Sequence, residues 1–133
     1  MINEAYKFSA LTGRVIGCAM TVHKALGNGF PEVMYQRALA IELRLADINF
    51  IRESPMPVYY RDEPIGTRKA DFLVENAISV ELKATTQLDP IHFAQAINYL
   101  EAYNLEVGLL INFGKPSLEF KRFTNKKYKP PTL

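Results

Sequence analysis

The chain has a single cysteine, Cys18, so it cannot form an internal disulfide. It has no apolar run of the length that a membrane-spanning helix requires. Its first residues, MINEAYKF, lack the basic start and the apolar stretch of a secretory signal. These absences predict a cytoplasmic protein in which Cys18, within the apolar stretch IGCAM, is a small buried core residue.

Two common kinds of catalytic site also find no support. His23 and His92 have no metal-ligand spacing to each other or to Cys18, which indicates structural or surface roles. The serines stand outside any nucleophile-elbow context, so serine hydrolase chemistry is not indicated.

Size and charge favour one globular domain with a basic end. The chain has 133 residues, of which 48% are hydrophobic and 23% charged, and such a chain can bury a core without disulfides or metals. We expect one domain over residues 1–123 and a basic tail over 124–133. From Lys115 onward there are six basic residues and one acid, Glu119, which suits a polyanionic partner such as nucleic acid. The alternative is a solvated, poorly ordered tail.

The periodicity of apolar residues and the turn signals predict an α/β fold with the order α-α-β-β-β-α-β-β. Proline at 55 and 57 confines the first strand to a sheet edge or to an irregular strand. The stretch VGLLINF is nearly all apolar, as in a strand buried on both faces. The predicted helices are about 8–26, 31–46 and 90–103, and the predicted strands are about 49–60, 67–74, 78–85, 107–113 and 118–123.

The stretch ADFLVENAISVELKA at 70–84 predicts a hairpin with two acids on one face. If the turn is 75–77, strand partners are positions whose numbers sum to 152. Three apolar pairs then share one face, and the other face places Asp71 opposite Glu81 and Lys69 opposite Lys83. Like charges that face each other are destabilising unless something compensates them, and a divalent cation such as Mg²⁺ would do so. The alternative is a solvated face on which the lysines screen the acids.

Two helices carry further candidate residues. Glu32 and Tyr35 lie three apart on the second predicted helix, and Gln36 joins the same face. Gln95 and Tyr99 lie four apart on the third. Taken alone, Glu32 is typical of a first-turn acid at the positive end of a helix dipole, and the tyrosines are typical of half-buried core residues.

Together these elements resemble a known superfamily. An acid on one strand followed by Glu-x-Lys on the next, here Asp71 and then Glu81-Leu82-Lys83, resembles the PD-(D/E)xK nucleases. QAINY at 95–99 resembles the Gln-xxx-Tyr motif of their RecB-like exonuclease branch. GFPEVMY at 29–35 is similar to the signature of the GxxExxY proteins, a bacterial family placed in that superfamily. The likeness extends from about 22 to 113.

The resemblance implies a restriction-endonuclease-like core, a mixed sheet flanked by helices, and a role for each matching residue. It implies catalytic roles for Glu32, Asp71, Glu81 and Lys83, with Lys83 positioning or deprotonating the attacking water. It implies Mg²⁺ ligation, with Mn²⁺ as a substitute, by Asp71, Glu81, the Leu82 carbonyl and Glu32. Tyr35, Gln95 and Tyr99 would support the site.

The leading hypothesis is therefore a Mg²⁺-dependent nuclease acting on DNA, with RNA as an alternative substrate. The rival is a catalytically inactive nuclease-fold module that binds nucleic acid or a protein partner. A homodimer is compatible with the small size of the chain, and no membrane partner is expected. The candidate nucleic-acid contacts are Arg68, Lys69, Lys121, Arg122, Lys126 and Lys127.

Overall fold

The structure, a computed structural model, describes residues 8–131, and the basic-tail residues 132 and 133 lie outside the described part. The helices are α1 (Ser9–Leu26), α2 (Glu32–Leu45) and α3 (Pro90–Tyr103). The strands are β1 (Phe50–Tyr60), β2 (Glu63–Val74), β3 (Ile78–Lys83), β4 (Val107–Asn112) and β5 (Glu119–Thr124). This is the predicted order. Within residues 8–131 no helix is long and apolar enough to span a membrane.

The strands form one mixed sheet in the order β1-β2-β3-β4-β5. Three neighbouring pairs are antiparallel, whereas β3 and β4 are parallel and are joined through α3. A parallel pair needs such a crossover because its two strands run in the same direction. β4 is buried along its whole length, as its apolar sequence predicted.

Helices cover both faces of the sheet. The main core lies between the α1–α2 pair and one face, where side chains such as Leu39, Phe72 and Val80 are fully buried. α3 packs on the other face. Its Leu100 leaves no room for a side chain at position 108 of β4, since a Cβ there would come within 2.7 Å of Leu100 Cδ2. Cys18 is only partly buried, so the prediction of a buried core residue is wrong; it packs at the edge of the core.

β1 and β2 form a long hairpin at the edge of the sheet. The predicted edge position of β1 is confirmed. The second strand begins earlier than expected, because the turn consists only of Arg61 and Asp62, both at positive φ, and Tyr60 pairs directly with Glu63. A two-residue turn with positive φ at both positions fits the twist of the strands on either side of it.

The β2–β3 hairpin has the predicted register. Phe72 pairs with Val80 and Val74 with Ile78, and these four side chains are fully buried. The turn lies where expected, with Glu75 and Asn76 at positive φ. The ladder ends at the Phe72–Val80 pair, one position before Asp71.

The end of β4 holds the loop that follows β3. Asn112 is fully buried, and its Oδ1 accepts hydrogen bonds from the amides of Thr85 and Gly114, at 3.0 Å each. Its Nδ2 donates to the Thr85 carbonyl at 3.0 Å. Gly114 passes so close to Thr85 that a Cβ would lie 2.3 Å from its backbone. Only glycine fits there, and the contact fixes the chain just beyond Lys83.

The first half of the basic tail packs against the end of α3. Asn125 is buried, and its side chain donates to the carbonyls of Leu100 and Leu105. Asn104 and Lys129 exchange two further hydrogen bonds, at 2.8 and 3.1 Å. These contacts give the segment a defined path as far as Lys129.

Candidate active site

Asp71 lies where the sheet opens. It lies opposite Glu53, whose φ is 50° and at which the β1–β2 ladder skips one pair, and it lies just beyond the last β2–β3 pair. Beyond the end of the β2–β3 ladder, the Asp71 carboxylate replaces a backbone carbonyl of β2 as hydrogen-bond acceptor for β3. Oδ2 accepts a hydrogen bond from the Leu82 amide at 2.7 Å, and Oδ1 accepts one from Gln36 Nε2 at 3.1 Å. The carboxylate is thus held from two sides.

Glu81 is a buried acid beside a second acid. Only 8% of its surface is exposed, and its Oε1 has no hydrogen-bond partner among the described residues. Burial, followed by the adjacent Asp71 charge, raises the pKa of Glu81 to about 9, although Lys83 opposes the shift. The predicted proximity of the two acids is therefore present. Without a cation, Glu81 carries a proton at neutral pH.

Burial also raises the pKa of Asp71, and the Leu82 amide is the strongest influence in the opposite direction. Glu32, in the first turn of α2, faces the same region. Its pKa is raised by burial and by Asp71 and is lowered by Lys83. The Asp71 charge therefore reaches the helix acid Glu32, which lies on the same side of the site.

A polar relay behind Asp71 was not among the predicted site residues. Gln36 is buried and donates to Asp71, while its Oε1 accepts a hydrogen bond from Arg52 Nη2 at 2.8 Å. The i, i+4 spacing of Gln36 from Glu32 was a signal for its place on this face. Arg52 gave no signal, because its contact depends on how β1 lies against α2.

Lys83, Gln95 and Tyr99 lie around Glu81 on the α3 side of the sheet. They line a small cavity of about 30 Å³ together with Glu81 and His92. His92 also completes the cap of α3, since its Nδ1 accepts a hydrogen bond from the Asp89 amide at 3.0 Å. Burial raises the pKa of Tyr99, and the charges of Glu81 and Asp71 add to the shift. The two residues of the QAINY motif thus face the acids.

Tyr35 supports the site from a distance. It is fully buried and stacks on Phe113, with ring centroids 4.6 Å apart. Its hydroxyl donates to the Gly27 carbonyl at 2.6 Å and accepts from the Phe30 amide at 3.2 Å. It therefore fixes the loop before α2, which carries Glu32.

The predicted basic contacts divide into separate groups. Lys121 pairs with Leu110, which pairs with Glu81, so all three side chains point to the α3 face. Arg122 is the next residue on β5 and points to the opposite face. Arg68 lies over the Tyr99 ring, with its guanidinium carbon 4.9 Å from the centroid.

The three remaining basic candidates lie at the surface. Lys69 is exposed on β2, and Lys126 is exposed just after the end of β5. Lys127 is also exposed, with its Nζ 3.7 Å from a Glu101 carboxylate oxygen.

The donor set fits a hard divalent cation. Asp71 and Glu81 supply carboxylate oxygens, and a cation beside Glu81 Oε1 would give that buried atom the partner it lacks. Within residues 8–131 no three histidine, cysteine, aspartate or glutamate side chains are grouped to surround one ion. Mg²⁺ is commonly held by one or two carboxylates together with water and phosphate oxygens, so the acid pair fits Mg²⁺ better than a closed protein cage would.

The architecture is that of an α/β domain, a mixed sheet with acids and a lysine where the central hairpin opens. The solved structure of SSO0001 has a similar fold, with a TM-score of 0.56 at 17% identity, over 69% of this chain and 48% of that one. No curated protein matches the sequence. The family model of the PD-(D/E)XK nuclease superfamily matches residues 9–123. The chain belongs to this superfamily.

Proposed function

We propose that the protein is a Mg²⁺-dependent nuclease that hydrolyses phosphodiester bonds of DNA at the Asp71–Glu81 site. The observation that carries the proposal is the acid pair beside Lys83, in which Asp71 is half-buried, Glu81 is buried and one Glu81 oxygen lacks a partner among the described residues. A buried acid beside a second, half-buried acid destabilises a fold, and a bound cation would compensate both charges.

In the proposed reaction water attacks the phosphorus and releases a proton to solvent, a new O–P bond forms, and the bond to the leaving oxygen breaks as that oxygen takes up a proton from solvent. Mg²⁺, or Mn²⁺ in its place, would be held by Asp71, Glu81 and the Leu82 carbonyl, with Glu32 as a further ligand once it moves closer or as a group that orients water. When bound, it lowers the pKa of water and neutralises charge on the scissile phosphate. Lys83 orients the attacking water and stabilises the negative charge that develops.

The test is cleavage of plasmid and single-stranded DNA with Mg²⁺, Mn²⁺ or EDTA. We expect Asp71→Ala and Lys83→Ala each to lower the rate about 100-fold or more, since each removes charge stabilisation at the reacting phosphate. Glu63→Ala, at the exposed start of β2, is the matched control and should keep the wild-type rate. Equal rates in wild type and all variants would identify a contaminating nuclease and contradict the proposal.

The rival function is a non-catalytic module that binds nucleic acid or a protein partner. It is favoured by the absence, over residues 8–131, of a group of three acid, histidine or cysteine side chains that could hold one ion. Mn²⁺ titration followed by electron paramagnetic resonance separates the two. If no Mn²⁺ binds at millimolar concentration, or if Asp71→Ala binds it as well as wild type, the rival replaces the nuclease proposal.

The DNA substrate and the homodimer belong to the same proposal. Matched DNA and RNA substrates in the cleavage assay test the preference for DNA. Sedimentation velocity, with and without DNA, tests the homodimer that the small size of the chain allows.

A further inference from the structure

We propose that a cleft between the β1–β2 hairpin and α3 binds one unpaired nucleotide, which makes single-stranded DNA the substrate class. The inference rests on the proposed nuclease function and specifies where the substrate strand lies. The cleft has a volume of about 420 Å³ and is lined by β1 (including Tyr59), β2 (Arg68) and α3 (including Asn98 and Tyr99).

The cleft adjoins the acid site through Tyr99. This tyrosine lines the cleft and also lines the small cavity beside Glu81 and Lys83. A nucleotide carries its phosphate within a few bonds of its base. A base held in the cleft against Tyr99 therefore places a neighbouring phosphate on the side of the acids, where hydrolysis is proposed.

The lining suits a nucleobase. Arg68 and Tyr99 already form a cation–aromatic pair, with 4.9 Å between guanidinium carbon and ring centroid. Tyr59 contributes an aromatic ring that is 58% exposed. Aromatic rings and guanidinium planes are the groups on which single-stranded bases stack, independently of sequence. The Asn98 side chain offers a donor and an acceptor to the edge of a base.

Volume and charge argue for an unpaired nucleotide. The cleft lies near the lower end of the roughly 300–1,000 Å³ of small-molecule sites, which is enough for one nucleotide but too small for a base pair with both of its backbones. The cleft also contains one acid, Glu101. The Lys127 ammonium lies 3.7 Å from its carboxylate and reduces the repulsion between Glu101 and an approaching phosphate. Arg68 adds positive charge.

The test compares two neighbouring tyrosines. Tyr59 lines the cleft, whereas Tyr60, which is 63% exposed, is not among the lining residues. We would measure binding of a labelled oligothymidine of about 10 nucleotides, and of a duplex of equal length, by fluorescence anisotropy in EDTA. We expect Tyr59→Ala to weaken single-strand binding about tenfold and to leave duplex binding unchanged. Tyr60→Ala should change neither, and Tyr59→Phe should retain wild-type affinity because its ring still stacks.

A second readout uses a 2-aminopurine base within the oligonucleotide. Stacking in the cleft should quench its fluorescence with wild type and with Tyr60→Ala, and Tyr59→Ala or Arg68→Ala should restore it. Thermal unfolding of each variant shows whether it is folded.

The proposal is overturned if Tyr59→Ala and Tyr60→Ala bind the single strand equally well, or if wild type does not bind it. In that case the nuclease proposal is still supported if Mg²⁺-dependent cleavage is present in wild type and lost in Asp71→Ala. If cleavage is absent but Tyr59→Ala alone loses single-strand binding, the cleft assignment holds and the catalytic assignment fails.

Discussion

At the scale of single residues, Glu81 is the side chain whose ionisation depends most clearly on the fold. Its pKa is about 9 in the folded protein, against 4.5 for an unperturbed glutamate. Between these pH values the folded chain binds a proton that the unfolded chain has released. The free energy of unfolding of the cation-free protein must therefore fall as pH rises from about 4.5 to 9.

Glu81→Gln removes this dependence. We expect the variant to be more stable than wild type at pH 8 in EDTA, with the difference shrinking towards pH 5, where wild-type Glu81 is protonated in the folded state. Urea unfolding at several pH values measures the effect. Glu63→Gln, in the exposed end of β2, is the control and should follow the wild-type curve. A difference between Glu81→Gln and wild type that does not vary with pH would contradict the assigned pKa.

The relay behind Asp71 gives a second prediction for single residues. Gln36→Ala removes one of the two hydrogen bonds that hold the carboxylate and leaves Arg52 Nη2 without its acceptor. Groups that orient a ligand typically change metal affinity 10–100-fold. We expect Mn²⁺ affinity, measured by calorimetry, to fall about tenfold, whereas the exposed Gln87→Ala should leave it unchanged. Unaltered affinity in Gln36→Ala would show that the Leu82 amide alone orients Asp71.

At the scale of elements, the sequence predicted the helices and strands because their apolar periods and turn residues are local signals. The register of the β2–β3 hairpin followed from its apolar faces. The second strand was predicted too short, because RDEPIG is typical of a turn while the actual turn takes only Arg61 and Asp62. The contact of Arg52 with Gln36 was beyond sequence reasoning, since it joins an edge strand to a helix through tertiary packing.

The junction after β4 gives a prediction at this scale. Gly114→Ala would push a Cβ into the backbone of Thr85 and displace the loop that ends β3. We expect it to destabilise the fold by about 2 kcal/mol or more. Gly13→Ala, within α1 and with nothing within 4 Å of an added Cβ, should instead stabilise by about 0.5–1 kcal/mol. Chemical unfolding of both variants measures this. If Gly114→Ala is instead the more stable of the two variants, the loop that contains Thr85 can move away from the added Cβ at little cost.

At the scale of the whole molecule, the site combines residues from different elements. Glu81 and Lys83 of β3 line one small cavity with Gln95 and Tyr99 of α3. The family motifs predicted this combination, while no local signal showed that the first part of the basic tail would pack through Asn125 against the end of α3. A tail contact with nucleic acid is therefore better tested by substituting Lys126 and Lys127 than by deleting residues 124–133, because deletion also removes Asn125.

The two faces of β5 give the last prediction. Lys121 lies on the face of the acids and Arg122 on the opposite face. We expect Lys121→Ala to weaken DNA binding and to lower the slope of log affinity against log salt by about one, the effect of one lost phosphate contact. Arg122→Ala should leave the slope unchanged if the fold is retained. The prediction fails if the two variants give equal slopes.

The Leu82 amide makes the site observable by spectroscopy. Its hydrogen bond goes to the Asp71 carboxylate and is short, at 2.7 Å. An amide bonded to a carboxylate responds to the charge on that carboxylate, so its ¹H and ¹⁵N resonances should move when Asp71 is protonated or binds a cation. Its hydrogen exchange reports whether Asp71 stays in place. One backbone signal therefore follows the occupancy of the acid pair directly, without substrate and without turnover.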